Sequence, residues 1–197
     1  MREMLRLFFA VVVFSCLSGG VLAAIQNVTK DRIEYQQLKF VKGPTIKQIM
    51  EGCSNDPLTD RLQLMNEAEE MNFFIGKFEG RPDAVAFETF GKGFGGVMGV
   101  IVGVDLETDQ IIGIGVTTHS ETPGVGSRAK TEPEFGAQFK GIPIAEPFKV
   151  KADGGQIDAL SGATISSRGV CGAVVEAGEI YQRLKPTLME KMKQKQG

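Results

Sequence analysis

The sequence predicts an α+β protein: one amino-terminal transmembrane helix, then a single domain in which flanking helices cover an antiparallel sheet. Three observations predict it. Residues 5–25 are almost uninterruptedly apolar, residues 84–118 hold three runs rich in β-branched and aromatic side chains, and residues 166–184 carry apolar side chains at helical spacing. A chain of 197 residues has room for one domain with a real core, plus a terminal extension that need not join it.

The amino-terminal run includes Leu7, Phe8, Phe9, Val11, Val12, Val13, Phe14, Leu17, Val21 and Leu22, and no charge interrupts it after Arg6. At about 1.5 Å per residue it covers the ~30 Å hydrocarbon core, so residues 1–28 are expected to form an anchor and residues 29–197 the domain. The rival is a cleaved signal peptide: Val21, Leu22 and Ala23 resemble a small-residue cleavage site, and Ser18, Gly19 and Gly20 thin the apolar run ahead of it. Charge does not orient the span, since Arg2 and Arg6 precede it while Lys30, Arg32, Lys39 and Lys42 follow.

Beyond the span, residues 45–50 and 59–74 hold helix formers, with Leu62, Met65, Ala68 and Glu69 at mixed helical spacing, so two helices are expected with a break at Asp56 and Pro57. The period then changes. Residues 84–90, 97–104 and 111–118 read as strands, the last two joined by a hairpin loop at residues 105–110. In the final element Val170, Ala173, Val174, Ala177, Ile180, Tyr181 and Leu184 recur at three- and four-residue steps, which is a helix with one buried face. Pro186 is expected to stop it, and the lysine-rich tail after Met189 to end as solvated helix or coil.

Composition excludes several functions. With 22 basic and 24 acidic residues there is no positive field to hold a polyanion, and nucleic acid is not an expected partner. Cys16, Cys53 and Cys171 share no CxxC spacing and His119 is the sole histidine, so neither a zinc site nor an iron–sulfur cluster is expected within the chain. A Cys53–Cys171 disulfide and two buried thiols both stay open.

Two glycine-containing segments bear on function. Residues 91–96, GKGFGG, satisfy GxGxxG, but a dinucleotide fold needs a helix after that motif and residues 97–104 read as a strand. Either these glycines let the backbone approach a planar ligand or they form a flexible hairpin connection. Residues 158–167, DALSGATISS, set the small residues Ser161, Gly162 and Ala163 before Thr164 at the start of the last helix. A phosphate esterified to the Thr164 hydroxyl would meet free backbone N–H groups and the positive end of a helix dipole. An ordinary helix cap is the alternative.

The SGATISS string resembles, letter for letter, the acceptor motif in which a flavin transferase joins FMN to threonine. Residues 119–126, HSETPGVG, resemble the HxETPGLG loop of the same proteins, with Val125 in place of the more usual leucine. Together with their order along the chain, these segments resemble the G subunits of the Rnf ion-translocating oxidoreductases, relatives of the C subunits of the sodium-pumping NADH:quinone reductases. The resemblance implies covalent FMN on Thr164, a recognition peptide made of Asp158, Ser161, Gly162, Ala163 and Thr164, and phosphate contacts from Ser161 and the backbone near Ile165 and Ser166. It implies that Glu121, Thr122 and Gly124 line the flavin, with Pro123 and Gly124 at the centre of a type II turn. His119 is expected to be a strand-end structural residue, and Arg168 either a phosphate partner or a solvated helix charge.

By the same resemblance the chain supplies no catalytic residue of its own and carries electrons within a translocating oxidoreductase, pumping nothing alone. Its partners would be the other membrane subunits of the complex, the flavin transferase during maturation, and membrane lipid. It would be a single-pass protein of the bacterial cytoplasmic membrane with its main domain on the periplasmic or extracellular side. An exported binding module without redox activity, and a flavin domain of another reductase, are the competing readings.

Overall fold

The computed structural model describes residues 2–67 and 69–196. The chain divides into two units, Met1–Phe40 and Val41–Gly197. The first is helix α1, Arg2–Gln37, which continues without a break past position 28 and leads into a π-helical turn at Leu38–Lys42. Its stretch Arg2–Lys30 is long and apolar enough to cross a membrane, and the side chains of Phe8, Phe9, Phe14 and Leu22 are all exposed. Such a surface is costly in water and suits lipid, where every backbone group is satisfied inside the helix.

The second unit opens with α2, Gly43–Ile49, and continues as five strands: β1 Arg61–Asn66, β2 Glu69–Phe78, β3 Arg81–Lys92, β4 Val97–Asp105 and β5 Ile111–Val116. They form one antiparallel meander in the order β1-β2-β3-β4-β5. Short helices α3, Arg128–Thr131, and α4, Pro133–Ala137, follow β5, and the long α5, Thr164–Gln196, closes the fold. The three strands and the hairpin loop expected over residues 84–118 are present, with Asp105 N–H donating to the Gln110 carbonyl across that loop (2.9 Å).

Strand alternation sends the sheet's two faces to different partners. Val85, Phe87, Val100, Val102 and Val104 pack with Val170, Ala173, Val174, Ala177 and Tyr181 of α5 in the main core, where the Phe73 and Phe87 rings stand 4.9 Å apart. On the opposite face glycines make room for α2: a Cβ on Gly103 would collide with Ile49 and stand 2.9 Å from Ile112, and one on Gly113 would meet Ile49 at 3.5 Å. Each large apolar side chain so buried contributes about 1.5–3 kcal/mol.

Two expectations fail. Residues 59–74 are not a helix but β1, a tight turn and the first half of β2. Leu62 and Leu64, like Met71, Phe73 and Ile75, alternate onto the α5 side, and pairing with β3 outweighs the helix propensity of the intervening glutamates. Glu67 turns the chain with φ of 57°; Ala68 lies outside the described residues. Pro186, in turn, does not stop α5, which runs on to Gln196. Leu188 and Met192 prolong the apolar stripe at four-residue steps and are buried, so packing offsets the one hydrogen bond that proline forfeits. The lysine-rich tail is therefore helical, and Lys191 and Lys195 reach back to the Gln63 carbonyl and Asp60.

Candidate functional site

The site lies where three segments meet: the β3–β4 hairpin tip, the loop after β5 and the first turn of α5. Glycines permit the meeting. A Cβ on Gly169 of α5 would stand 2.8 Å from the Lys92 carbonyl oxygen, and one on Gly126 would stand 2.6 Å from Ser166 Oγ. Gly93 and Gly95 likewise pack against Glu121 and the Ser120 carbonyl. The glycines at 91, 93 and 95 thus face the protein's own loop and helix, a third role beside the ligand approach and the flexible connection. Gly93 N–H donates to the Gly96 carbonyl (2.8 Å), and a strand follows, so the GxGxxG string closes a hairpin.

Thr164 is the first residue of α5 and is half-buried. Ser167 N–H makes the bond to the Ala163 carbonyl (3.0 Å) that begins the helix, so the N–H groups of Thr164, Ile165 and Ser166 precede the intrahelical ladder. Gly162, at φ of 76° with open space where a side chain would be, turns the chain into the helix. Ser161 and Gly162 are exposed, Ala163 is buried, and Ile165 points outward. Asp158 is exposed, ion-paired with Lys151 (2.7 Å), and its backbone is held on both sides by the Gln138 amide.

The loop after β5 is fixed as its residues require. Thr122 C=O accepts Val125 N–H (3.2 Å) with Pro123 and Gly124 between them and Gly124 at φ of 72°, the expected type II turn. Ser127 Oγ also accepts Gly124 N–H (2.9 Å). Thr122 and Gly124 are exposed, whereas Glu121 is buried: Oε1 accepts Gly95 N–H (2.7 Å) and Oε2 accepts the Ser166 hydroxyl. His119 lies past the end of β5, and its Nδ1 accepts Glu121 N–H (3.3 Å), a structural role.

The loop is tied to the Thr164 segment a second time by Arg128, which donates to the Ser161 carbonyl (3.1 Å) while paired with Glu132. Arg128 lies outside both sequence motifs, and Gly126 closes the 119–126 string without a packing role being legible there; the glycines at 91, 93 and 95 were the available sign that something packs closely. Arg168 is committed to Asp153 through two bonds of 2.7 Å, which holds the Asp153 carboxyl below the usual carboxylate range. Cys171 is a buried thiol pushed up to about 11 by desolvation, and Cys53 is a half-buried thiol that donates to the Asn55 carbonyl, so both are free.

This arrangement can hold an anion. Three N–H groups at Thr164, Ile165 and Ser166 precede the helix ladder, the residues before Thr164 are small, and the exposed Phe94, Val125 and Ile165 on the three converging segments offer apolar surface to a planar group. A phosphate-bearing aromatic cofactor fits these residues.

The comparisons agree. Residues 93–179, which contain both loops and Thr164, match the FMN-binding domain family. The chain is 31% identical over 178 residues to the G subunit of the ion-translocating oxidoreductase complex of Vibrio cholerae serotype O1 (Classical Ogawa 395), covering 85% of each chain. It is 28% identical to the protein of the same name in Methanosarcina acetivorans, over 89% of this chain and 93% of that one. The crystal structure of Shewanella oneidensis NqrC resembles it in fold, with a TM-score of 0.51 and 23% identity over 71% of this chain and 72% of that one. With a hairpin, a turn and a helix start assembled as the sequence motifs require, and with relatives matched along most of its length, the chain belongs to the family formed by the G subunits of ion-translocating oxidoreductase complexes.

Proposed function

We propose that this protein is the electron-carrying subunit of an Rnf-type ion-translocating complex, with FMN joined to Thr164 Oγ1 by a phosphoester bond. The observation that carries the reading is Thr164 itself: a half-buried threonine, the first residue of a 33-residue helix, beside N–H groups that the helix does not use. When bound, FMN supplies the one-electron redox chemistry, and the protein supplies position and electrostatics. The N–H groups of Thr164, Ile165 and Ser166 would hold the phosphate; Ser161, Gly162 and Ala163 would keep the approach open; Thr122 and Gly124 would line the flavin. A tether removes the need for a deep pocket, so a ring edge stays open to a neighbouring carrier.

The partners in this reading are the other subunits of the complex, lipid around the apolar part of α1, and a flavin transferase that reads Asp158, Ser161, Gly162, Ala163 and Thr164. Asp158, Ser161 and Gly162 are exposed, as a peptide entering another enzyme must be. The domain would face the periplasm or cell exterior. Protein produced with a flavin transferase should gain the mass of one FMN less one water, retained after denaturation, and Thr164→Ala should abolish the gain. Covalent flavin surviving in the alanine variant would remove the assignment.

A further inference from the structure

Glu121 is an oddity of charge. It is 5% exposed, its two carboxylate oxygens meet Gly95 N–H at 2.7 Å and the Ser166 hydroxyl, and no ion pair among the described residues includes it. The guanidinium groups on the adjoining segments are engaged elsewhere, Arg128 with Glu132 and Arg168 with Asp153. The carboxylate fits only because side chains are missing around it, since a Cβ on Gly126 would stand 2.9 Å from Glu121 Cβ and one on Gly93 would stand 3.0 Å from its carboxyl carbon.

A glutamine would serve those two hydrogen bonds equally well. Its oxygen would accept Gly95 N–H and its amide would donate to Ser166 Oγ, without burying a charge that has no counter-ion. The bonds therefore do not explain the charge. What the charge does have is a location: Ser166 is two residues beyond Thr164 in the same helical turn, so the carboxylate lies beside the positive helix end that would also receive the phosphate.

Resting on the assignment of FMN to Thr164, we infer that Glu121 is a positioning residue that also sets the flavin's reduction potential, holding it low by fixing a negative charge beside it. Each electron that the flavin accepts from the preceding carrier of the complex makes it more negative, and a carboxylate in a poorly solvated setting opposes that step. The same residue clasps the hairpin tip to the helix, so the charge cannot swing away into water.

The test separates charge from clasp. Wild type, Glu121→Gln and Glu121→Asp are each produced with a flavin transferase, checked for covalent flavin by intact mass, and titrated by absorbance against redox dyes. Glu121→Gln, which keeps both bonds and loses the charge, should shift the flavin midpoint to more positive potential with little change in Tm. Glu121→Asp, which keeps the charge on a shorter arm, should lower Tm and titrate close to wild type. A Gln variant that titrates with wild type, or an Asp variant shifted as far as Gln, would overturn the inference. Wild-type protein carrying no covalent flavin would remove the Thr164 assignment, and this inference with it.

Discussion

At the scale of single residues, glycine does two different jobs in this site, and substitution separates them. Gly126 is required by space: an added methyl would stand 2.6 Å from Ser166 Oγ and 2.9 Å from Glu121 Cβ. Gly124 is required by conformation: it has φ of 72° and nothing within 4 Å of the missing side chain. Gly126→Ala should therefore cost about 1–3 kcal/mol through forced repacking, and Gly124→Ala about 1–2 kcal/mol through backbone strain. Urea unfolding checks both, and asparagine supplies the control. Asn tolerates the left-handed region, so Gly124→Asn should recover part of the loss, while Gly126→Asn should be worse than Gly126→Ala. Equal recovery at both positions would show that the two glycines act alike. The Pro123–Gly124 turn and the small residues before Thr164 were legible in sequence because turn chemistry is local. The buried position of Glu121 was not legible, since it depends on Gly95 and Ser166, 26 residues before and 45 after it.

At the scale of elements, legibility followed how much of each element's reason for forming lies within itself. The strands of residues 84–118 are rich in β-branched and aromatic side chains, and the loop between β4 and β5 is held locally, with Asp105 Oδ1 accepting from Glu107 and Thr108. β1 and β2 owe their extension to neighbours: helix formers and the spacing of Leu62, Met65, Ala68 and Glu69 point to a helix, and only pairing with β3 selects the alternation of Met71, Phe73 and Ile75 instead. Pro186 misled in the same way, because local chemistry disfavours it in a helix and distant packing keeps the helix going. Two substitutions test that account. Leu188, wholly buried beyond the proline, should cost about 2–5 kcal/mol when changed to alanine, whereas a helix ending at Pro186 would leave the change nearly neutral. Pro186→Ala should restore a ladder bond and raise stability, by up to about 3 kcal/mol, read as a rise in Tm. A fall in Tm would mean that the proline ring makes packing the helix needs.

At the scale of the whole folded unit, the carboxyl-terminal half of α5 is fastened to the sheet by two carboxylates far apart in sequence. Asp60, before β1, pairs with Lys195 at 2.7 Å and Lys77 at 2.8 Å, and Asp109, in the β4–β5 loop, accepts from Tyr181 at 2.6 Å and from Lys185. Burial alone would push each carboxyl up; the hydrogen bonds from Lys195 and Lys77 to Asp60, and from Lys185 and Tyr181 to Asp109, outweigh it and hold both below the usual carboxylate range. A carboxyl depressed in the folded state contributes stability that is present in full above its unfolded value, about 3.9, and is lost as pH falls through the folded value. Acid should therefore loosen the carboxyl-terminal half of α5 from both ends of the sheet while leaving its amino-terminal turn, held by buried apolar contacts, in place. For Asp60, whose side chain is only 15% exposed, the Asn variant should be less stable than wild type at pH 7 by about 1–2 kcal/mol, the scale of a hydrogen bond to a charged group discounted for solvent. Because Asn cannot titrate, that gap should close as pH drops below about 4, when the wild-type carboxyl takes up its proton and resembles the amide. The measurement is urea unfolding of both proteins between neutral pH and the acid limit. A gap of constant size across that range would mean that Asp60 contributes through packing and neutral hydrogen bonds, and that its charge does not fasten the helix to the sheet.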